Sequence, residues 1–419
     1  MVKNIVILGA GFAGIRVVQD LQKDLPNSYR IVLVDKESTH LFRADLYEVA
    51  TAFSKKINKE CLTKLKDTIA IPIKSLINQK RVCFIQDAVS KIDPVKREVS
   101  LKKNKKLSYE YLVVAMGSET NYFGIDGLEK NAFGLKTIQD ALKINCHLDQ
   151  FFQDLWRRKL KKEVYITVGG GGASGVETVT ELVGAVRSLC EKYHYPNGKV
   201  TLQLIEGSAV LGGFGGAGTK VILERCEKFG IKVYLNNFIQ KADKKEIVLK
   251  NKTGKLIKIK SDILIWTGGV KVNAMVQKCF GQKECGGAIL VNEFMLAKNF
   301  SKVFAAGDNA YFADPENPAK RLPMLANVAL DQGKVIAQNI LSLINKGDLQ
   351  KFTAKRGRFM LPLGAKYAIC EDSDGRIRKG FSVWLSRKFV FLRYAMSILP
   401  FFKALRKWWH SSRIFMEND

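Results

Sequence analysis

The chain has 419 residues, 47% hydrophobic and 26% charged; that composition excludes a disordered chain, and that length exceeds one ordinary core, so two or three domains are expected. A formal charge of +28 favours anionic partners (phosphate-bearing cofactors, anionic lipid, nucleic acid), although lysines scattered along the chain fit a lysine-rich proteome equally well. No run of about 20 uncharged apolar residues occurs, and the eight cysteines include no Cys-x-x-Cys pair, so a spanning helix and a zinc or dithiol motif are not expected.

The N-terminus enters a strand at once, which argues against a signal peptide and for a cytoplasmic protein. Asn4 to Leu8 (NIVIL) is a short β-branched run of the kind buried on both faces of a sheet. Gly9-Ala10-Gly11-Phe12-Ala13-Gly14 follows, then a helical stretch with Ile15, Val18 and Leu21 on one face. Arg30 to Val34 is a second strand, ending at Asp35. That completes one βαβ unit.

The same unit recurs. Glu163 to Val168 is a strand, Gly169 to Gly175 a glycine turn, Val176 to Leu189 a helix, and Val200 to Ile205 a strand ending at Glu206. Tyr111 to Gly117, Asp262 to Gly269 and Val303 to Asp308 are further strands that run into glycine, as an α/β sheet requires where backbone approaches a ligand. The order implies an insertion. The first fold stops near residue 118 and resumes near 286, giving expected domains 1–118 with 286–350, 119–285, and a C-terminal segment 351–419.

A glycine hexad alone is a weak signal; here strand, helix and terminal acid accompany both copies. Gly9 permits the tight turn, Gly11 lets backbone approach a pyrophosphate, and Gly14 lets helix pack on strand, with the helix N-terminus facing the phosphates. Asp35 stands where a carboxylate accepts ribose hydroxyls. In the second copy Gly170, Gly172, Gly175 and Glu206 take these places, and a carboxylate at 206 repels a 2′-phosphate, which favours NADH over NADPH. Two such folds in one chain suit hydride transfer between a nicotinamide and a flavin. No Ser-His-Asp set or metal cluster competes, and four histidines offer no convincing general acid.

The chain resembles the two-dinucleotide flavin reductases, and among them the type II NADH:quinone oxidoreductases, over nearly its whole length. The carrying segments are GAGFAG (Gly9 to Gly14), HLFRADLYEVAT (His40 to Thr51), GGGASGVETVTEL (Gly170 to Leu182), WTGG (Trp266 to Gly269), AAGDNA (Ala305 to Ala310) and LANVALDQG (Leu325 to Gly333). The resemblance implies FAD in the first fold, touched by Phe12, Ala13, Lys36, Ala115, Gly117, Gly307, Asp308, Leu325 and Ala326. It implies NADH in the second, with Gly268 lining it and Glu177 beside the reacting rings. A membrane quinone is the implied acceptor. Where the family shows an Ala-Gln pair and further glutamines, this chain has Asn327 and Asp331 and keeps Gln332; Asn327, Asp331 and Lys366 (in LGAKYA) are the quinone-site candidates. A related enzyme with another donor or acceptor, and a flavin- or NADH-binding sensor, are the alternatives. Disulfide reductases keep a reactive cysteine just after the second strand, and Asp35 to Thr51 contains none; for sulfide:quinone chemistry only Cys146 and Cys370 are candidates.

Phe381 to Arg413 holds nine large aromatics, seven Lys/Arg and no acid. Phe391, Leu392, Ala395, Ile398 and Leu399 recur at helical spacing, and Pro400 can open a second helix carrying Phe401, Leu405, Trp408 and Trp409. Basic, aromatic amphipathic helices of this type lie in a bilayer interface on anionic lipid. The alternatives are a core-covering or homodimer-forming helix; nucleic acid is not expected, because no recognisable module accompanies the arginines. The expected whole is an α/β chain of two Rossmann-like domains, the NADH domain inserted in the FAD domain, with an amphipathic anchoring segment on the cytoplasmic face of the cell membrane.

Overall fold

The computed structural model describes residues 2–53, 61–281, 283–354, 358–372 and 374–416. The principal elements are, in chain order, β1 (Lys3–Leu8), α1 (Phe12–Asp24), β2 (Tyr29–Asp35), α2 (Leu46–Thr51), α3 (Cys61–Ile69), β3 (Val82–Gln86) and β4 (Tyr111–Val114). There follow β5 (Ala132–Gly134), α4 (Ile138–Arg157), β6 (Val164–Gly169), α5 (Ala173–Lys192), β7 (Val200–Glu206), α6 (Gly216–Lys228), β8 (Lys232–Leu235) and β9 (Ile263–Trp266). The last are β10 (Val303–Ala305), α7 (Ala326–Asn345), α8 (Phe381–Ile398) and α9 (Phe401–Met416).

The chain forms two compact units. One comprises Met1–Leu41, Ala70–Glu119 and Val270–Arg356; the other Phe42–Ile69, Thr120–Gly269 and Gly357–Asp419.

In the first unit a five-stranded parallel sheet has the order β10-β4-β1-β2-β3. Ile5, Val6, Ile7 and Leu8 have no exposed surface, so the apolar run is buried on both faces, each side chain contributing about 1.5–3 kcal/mol. Helices α1 and α7 pack together. At Gly333 a Cβ would lie 2.7 Å from the Ala13 carbonyl oxygen, so the glycine of LANVALDQG permits a close helix crossing.

In the second unit a parallel sheet has the order β5-β9-β6-β7-β8. The acid-bearing strand again lies beside the strand that feeds the glycine turn. The likeness of the two units goes beyond the βαβ unit: each places a three-stranded antiparallel meander before its next central strand, within 89–108 in the first and 237–260 in the second. All strands of the second sheet fall in sequence between β4 and β10 of the first. The architecture is the α/β pair of parallel sheets expected.

Two further parts of the second unit matter for chemistry. Helix α4 begins with a capping box at Thr137 and Asp140, and buried Asn145 donates from Nδ2 to the carbonyls of Val49 (3.3 Å) and Ala52 (2.9 Å), which fixes α2 on α4. Helices α8 and α9 meet at Pro400, as expected. Their facing differs from the simple amphipathic reading: Phe391, Tyr394, Ala395 and Ile398 are buried, with Phe391 and Tyr394 packed on Phe42 at 4.8 and 5.3 Å between ring centroids. Phe381, Leu385, Phe389 and Met396 are the exposed apolar residues of α8. The periodicity of 391, 395 and 398 marks the face against the protein, because an amphipathic stripe does not say which apolar surface covers it. Among the described residues no helix is long and apolar enough to cross a membrane.

Candidate functional site

Each unit carries one glycine cradle, and the two share their backbone conformation and their close approaches. In the first, Gly9 has φ +98°, and a Cβ there would sit 2.2 Å from the Ala115 carbonyl oxygen. In the second, Gly170 has φ +100°, and its Cβ would sit 2.3 Å from Gly268 Cα. A Cβ at Gly14 or Gly175 would strike the carbonyl oxygen of Gly9 at 1.9 Å or of Gly170 at 1.7 Å. Gly11 and Gly172 behave differently. A Cβ on either would meet no atom within 4 Å, so each keeps open the space in front of its helix. Both are N-caps without a side-chain cap and without an acid in the first turn. Those helix ends offer N–H donors and partial positive charge to an anion.

The terminal acids complete the match. Asp35 accepts from the Ala10 N–H (2.6 Å) and the Glu37 N–H (2.8 Å). Glu206 accepts from the Gly171 N–H (2.6 Å) and the Ser208 N–H (2.8 Å). Each carboxylate is fixed by two backbone donors at the strand end, with lone pairs left for ribose hydroxyls. The residues fit dinucleotides in both places.

Around the first cradle the structure adds residues that sequence reasoning missed. Buried His40 bonds the Ala10 carbonyl through Nδ1 at 2.7 Å, and Phe12 lies edge-on to its ring at 5.5 Å. Asn309 is fully buried and clasps Gly117, accepting from its N–H at 3.0 Å and donating to its carbonyl at 2.8 Å. Ser118 donates to the Asp308 carboxylate. Gln332 Oε1 accepts from the Gly307 N–H at 2.7 Å, tying α7 to the Gly-Asp turn. Arg321 reaches the Asp308 carbonyl oxygen at 3.4 Å, and its buried Nε has no hydrogen-bond partner among the described residues. Lys36 is exposed. The α7 N-terminus at Leu325 and Ala326 has no side-chain cap, while Asn327 and Asp331 are exposed on α7. Asn309 lay inside the AAGDNA segment and could have been read there. Arg321 had no sequence signal.

In the second unit the WTGG segment braces the cradle: Thr267 Oγ1 donates to the carbonyls of Gly169 (3.1 Å) and Gly170 (3.0 Å). Glu177, in the first turns of α5, is 8% exposed. Burial pushes its carboxyl up to about 8; Arg387 opposes the rise, and Asp45 and Glu48 add to it. The neighbours come from two distant segments. Asp45 accepts from Arg387 at 2.8 Å, Glu48 accepts from Lys388 at 2.7 Å, and Tyr47 donates to Glu48 at 3.4 Å. Burial, then Glu48 and Glu177, hold the Tyr47 hydroxyl well above its ordinary value.

Lys366 lies on an exposed turn in which Gly364, Ala365 and Lys366 all have positive φ (67°, 47° and 55°). Arg225 holds the turn, donating to the carbonyls of Leu363 (3.0 Å) and Gly364 (2.7 Å) while stacked on Phe229 and Tyr367. A Cβ at Gly364 would lie 2.6 Å from the Thr180 carbonyl oxygen, so the turn sits on α5 about one helical turn beyond Glu177. Among the described residues no ion pair links Lys366 to Glu177. No group of side chains there could hold a metal ion.

Two cradles of one geometry, each at the carboxyl ends of a parallel sheet, define a protein built of twin dinucleotide folds. The model of the pyridine nucleotide-disulphide oxidoreductase family matches residues 3–333, and the chain belongs to that family. It is 29% identical over 370 residues to a type II NADH:quinone oxidoreductase of Staphylococcus epidermidis, covering 87% of this chain and 88% of the relative. A Staphylococcus aureus enzyme of the same name is 26% identical over 84% of this chain and 85% of its own. Among solved structures, NDH2 from Plasmodium falciparum in complex with NADH superposes with a TM-score of 0.84 at 18% identity, over 100% of this chain and 98% of the other. The sulfide:quinone oxidoreductase of Aquifex aeolicus does so at 0.74 and 19%, over 93% and 90%.

Proposed function

We propose that the chain is an FAD-dependent, non-proton-pumping NADH:quinone oxidoreductase. The duplicated cradle carries this reading: two uncapped helix N-termini, each with open space before it and a strand-end carboxylate beside it, suit two dinucleotides in one chain. Residues 1–118 and 286–350 are assigned to FAD and 119–285 to NADH. Gly9, Gly11 and Gly14 with the N–H groups of Phe12 and Ala13 take the pyrophosphate of the flavin nucleotide, and Asp35, beside Lys36, takes its ribose. Ala115, Gly117, Gly307 and Asp308 line the chain toward the ring, and the α7 N-terminus at Leu325 and Ala326 faces the ring's electron-rich edge. Gly170, Gly172, Gly175 and Gly268 leave room for NADH, and Glu206 selects it over NADPH by charge. Bound FAD would supply the two-electron chemistry that no side chain here can provide.

Glu177 keeps its proton on the carboxyl through neutral pH, so it is available as an acid where a quinone is reduced. Asn327, Asp331 and Lys366 are assigned to the quinone side. The cysteines favour quinone over sulfide chemistry: burial, then Asp372, raises the Cys370 thiol, which makes it a weak nucleophile at neutral pH, and Cys146 is exposed. The segment 351–419 is assigned to peripheral membrane association on the cytoplasmic face. Exposed Phe402 and Trp409 on α9, with Lys403, Arg406 and Arg413 exposed along the same helix, suit an anionic lipid surface. Anaerobic addition of NADH, then of a soluble quinone analogue, tests the whole: flavin absorbance should fall and then return. A fall without return would overturn the quinone assignment, and reduction by sulfide would select the other enzyme class.

A further inference from the structure

Beyond Glu206 the second cradle has side chains that a pyrophosphate and a ribose do not use. In the parallel register of β7 and β8, Glu206 lies beside Leu235, so Gly207 and Asn236 stand level just past the strand ends. The Asn236 N–H donates to the Ser208 carbonyl at 3.1 Å and ties the two segments together. Phe238, two residues on, packs at the same place. A Cβ at Gly207 would lie 2.5 Å from Phe238 Cε1 and 2.8 Å from Cδ1, so the glycine admits an aromatic ring directly beside the acid. That ring is 52% exposed. A single exposed apolar residue is ordinary on a surface. One set against the residue that follows a ribose-binding carboxylate offers a base its stacking partner.

Asn236 adds a polar observation. Its φ of +58° lies in the left-handed region, which asparagine tolerates and which glycine would satisfy as well. The turn therefore accounts for the backbone but not for the side chain. Asn236 Oδ1 is buried and has no hydrogen-bond partner among the described residues. A buried acceptor without a donor is destabilising, and a ligand that brings an N–H relieves it. Adenine brings one. Its 6-amino group donates beside a ring nitrogen that accepts, and an asparagine amide matches that edge with its carbonyl and its NH2. Asn237 also has a buried Oδ1 without a partner among the described residues. Its Nδ2, however, is committed to the Leu235 carbonyl at 2.8 Å, so of the two Asn236 keeps both halves of its amide for a ligand.

We propose that Phe238 and Asn236 form a base-reading subsite, in which Phe238 stacks on the adenine of NADH and the Asn236 amide pairs with its 6-amino edge. The inference deepens the assignment of NADH to the second cradle and rests on it. The glycine turn and the α5 N-terminus take the pyrophosphate, and Glu206 takes the ribose. The base is then held by residues outside the βαβ unit, at the turn that leads from β8 into the meander strand Asn237–Ala242. Gly207 has a part in this, because any side chain there would displace the ring. The adenine lies at the end of the dinucleotide remote from hydride transfer, so these contacts hold substrate and transition state equally. They set affinity and base preference, not the rate of the chemical step.

The test is equilibrium dialysis of two ligands against the full chain loaded with FAD, so that flavin fills the first cradle. One ligand is ADP-ribose; the other is etheno-ADP-ribose, whose fused ring keeps the aromatic surface and removes the 6-amino hydrogens. The parent should bind ADP-ribose about tenfold more tightly than the etheno analogue. N236G keeps the left-handed turn and should bind both alike. F238A should weaken both by about tenfold, and F238Y should restore them. In F238A the KM for NADH should rise by the same factor with kcat unchanged. Parental affinity in F238A, or the parental preference in N236G, overturns the subsite even where the parent oxidises NADH. A parent that binds no ADP-ribose overturns the subsite and the NADH assignment together. If the binding pattern holds but NADH does not reduce the flavin, the subsite stands and the hydride reading fails.

Discussion

Replacing Glu177 with glutamine should change how the stability of the second unit depends on pH, and the size of the change follows from the burial of the carboxyl. In the unfolded chain Glu177 titrates near its ordinary 4.5, and in the folded chain at about 8. Below 4.5 both states carry the proton, and the folded chain has its full stability. Between 4.5 and 8 the unfolded chain ionises while the folded one stays neutral, so stability falls as pH rises; above 8 the loss is complete. At about 1.4 kcal/mol per unit the ceiling is ~5 kcal/mol, of which a few kcal/mol should be visible. E177Q cannot ionise and should lack this slope. All five tryptophans, at 156, 266, 384, 408 and 409, lie in the second unit, so tryptophan fluorescence in urea reports its unfolding directly. Midpoints of parent and variant should converge on one another or cross between pH 5 and 8.5, the parent falling more. Parallel curves would refute a neutral buried Glu177.

The twin cradles predict separable losses. G14A should lose flavin, because its Cβ would strike the Gly9 carbonyl, whereas G175A should keep flavin and lose ADP-ribose binding in equilibrium dialysis. Glu206→Lys should move the NADH to NADPH preference in kcat/KM by at least about tenfold, since a cation replaces a carboxylate opposite the 2′-position. F402E/W409E, at side chains 82% and 65% exposed, should weaken sedimentation with anionic vesicles by at least about tenfold without changing bound flavin. Arg225→Met should free the strained Gly364–Lys366 turn, seen as faster proteolysis there, with flavin content unchanged.

The glycine turns and their acids were legible because a pyrophosphate cradle is built locally: within about 30 residues the sequence must supply a buried strand, a positive-φ glycine, an uncapped helix and a carboxylate. The meanders at 89–108 and 237–260 were not, since short antiparallel strands carry little periodic signal. In the tail, Pro400 placed the break between α8 and α9, yet the facing of α8 was misleading. Phe391 and Ile398 are apolar because they cover the protein, while Phe389 and Met396 are apolar and exposed. Arg387 read as one more basic residue of a lipid-binding helix. Its burial depends on Asp45, and nothing local in either segment announces a partner so far away.

That distance bears on how the protein is made. Asp45 and Glu48 emerge from the ribosome 342 and 340 residues ahead of the cations that neutralise them. Until α8 arrives, the α2 segment must keep its carboxylates in water, so the second unit cannot close before α8 has been made. A chain ended at Gly380 would leave Asp45 and Glu48 without Arg387 and Lys388 and an opening where α8 belongs. Closure of the second unit is thus tied to the making of α8: a nascent chain that has not reached Arg387 and Lys388 leaves Asp45 and Glu48 without these partners and stays open to proteases.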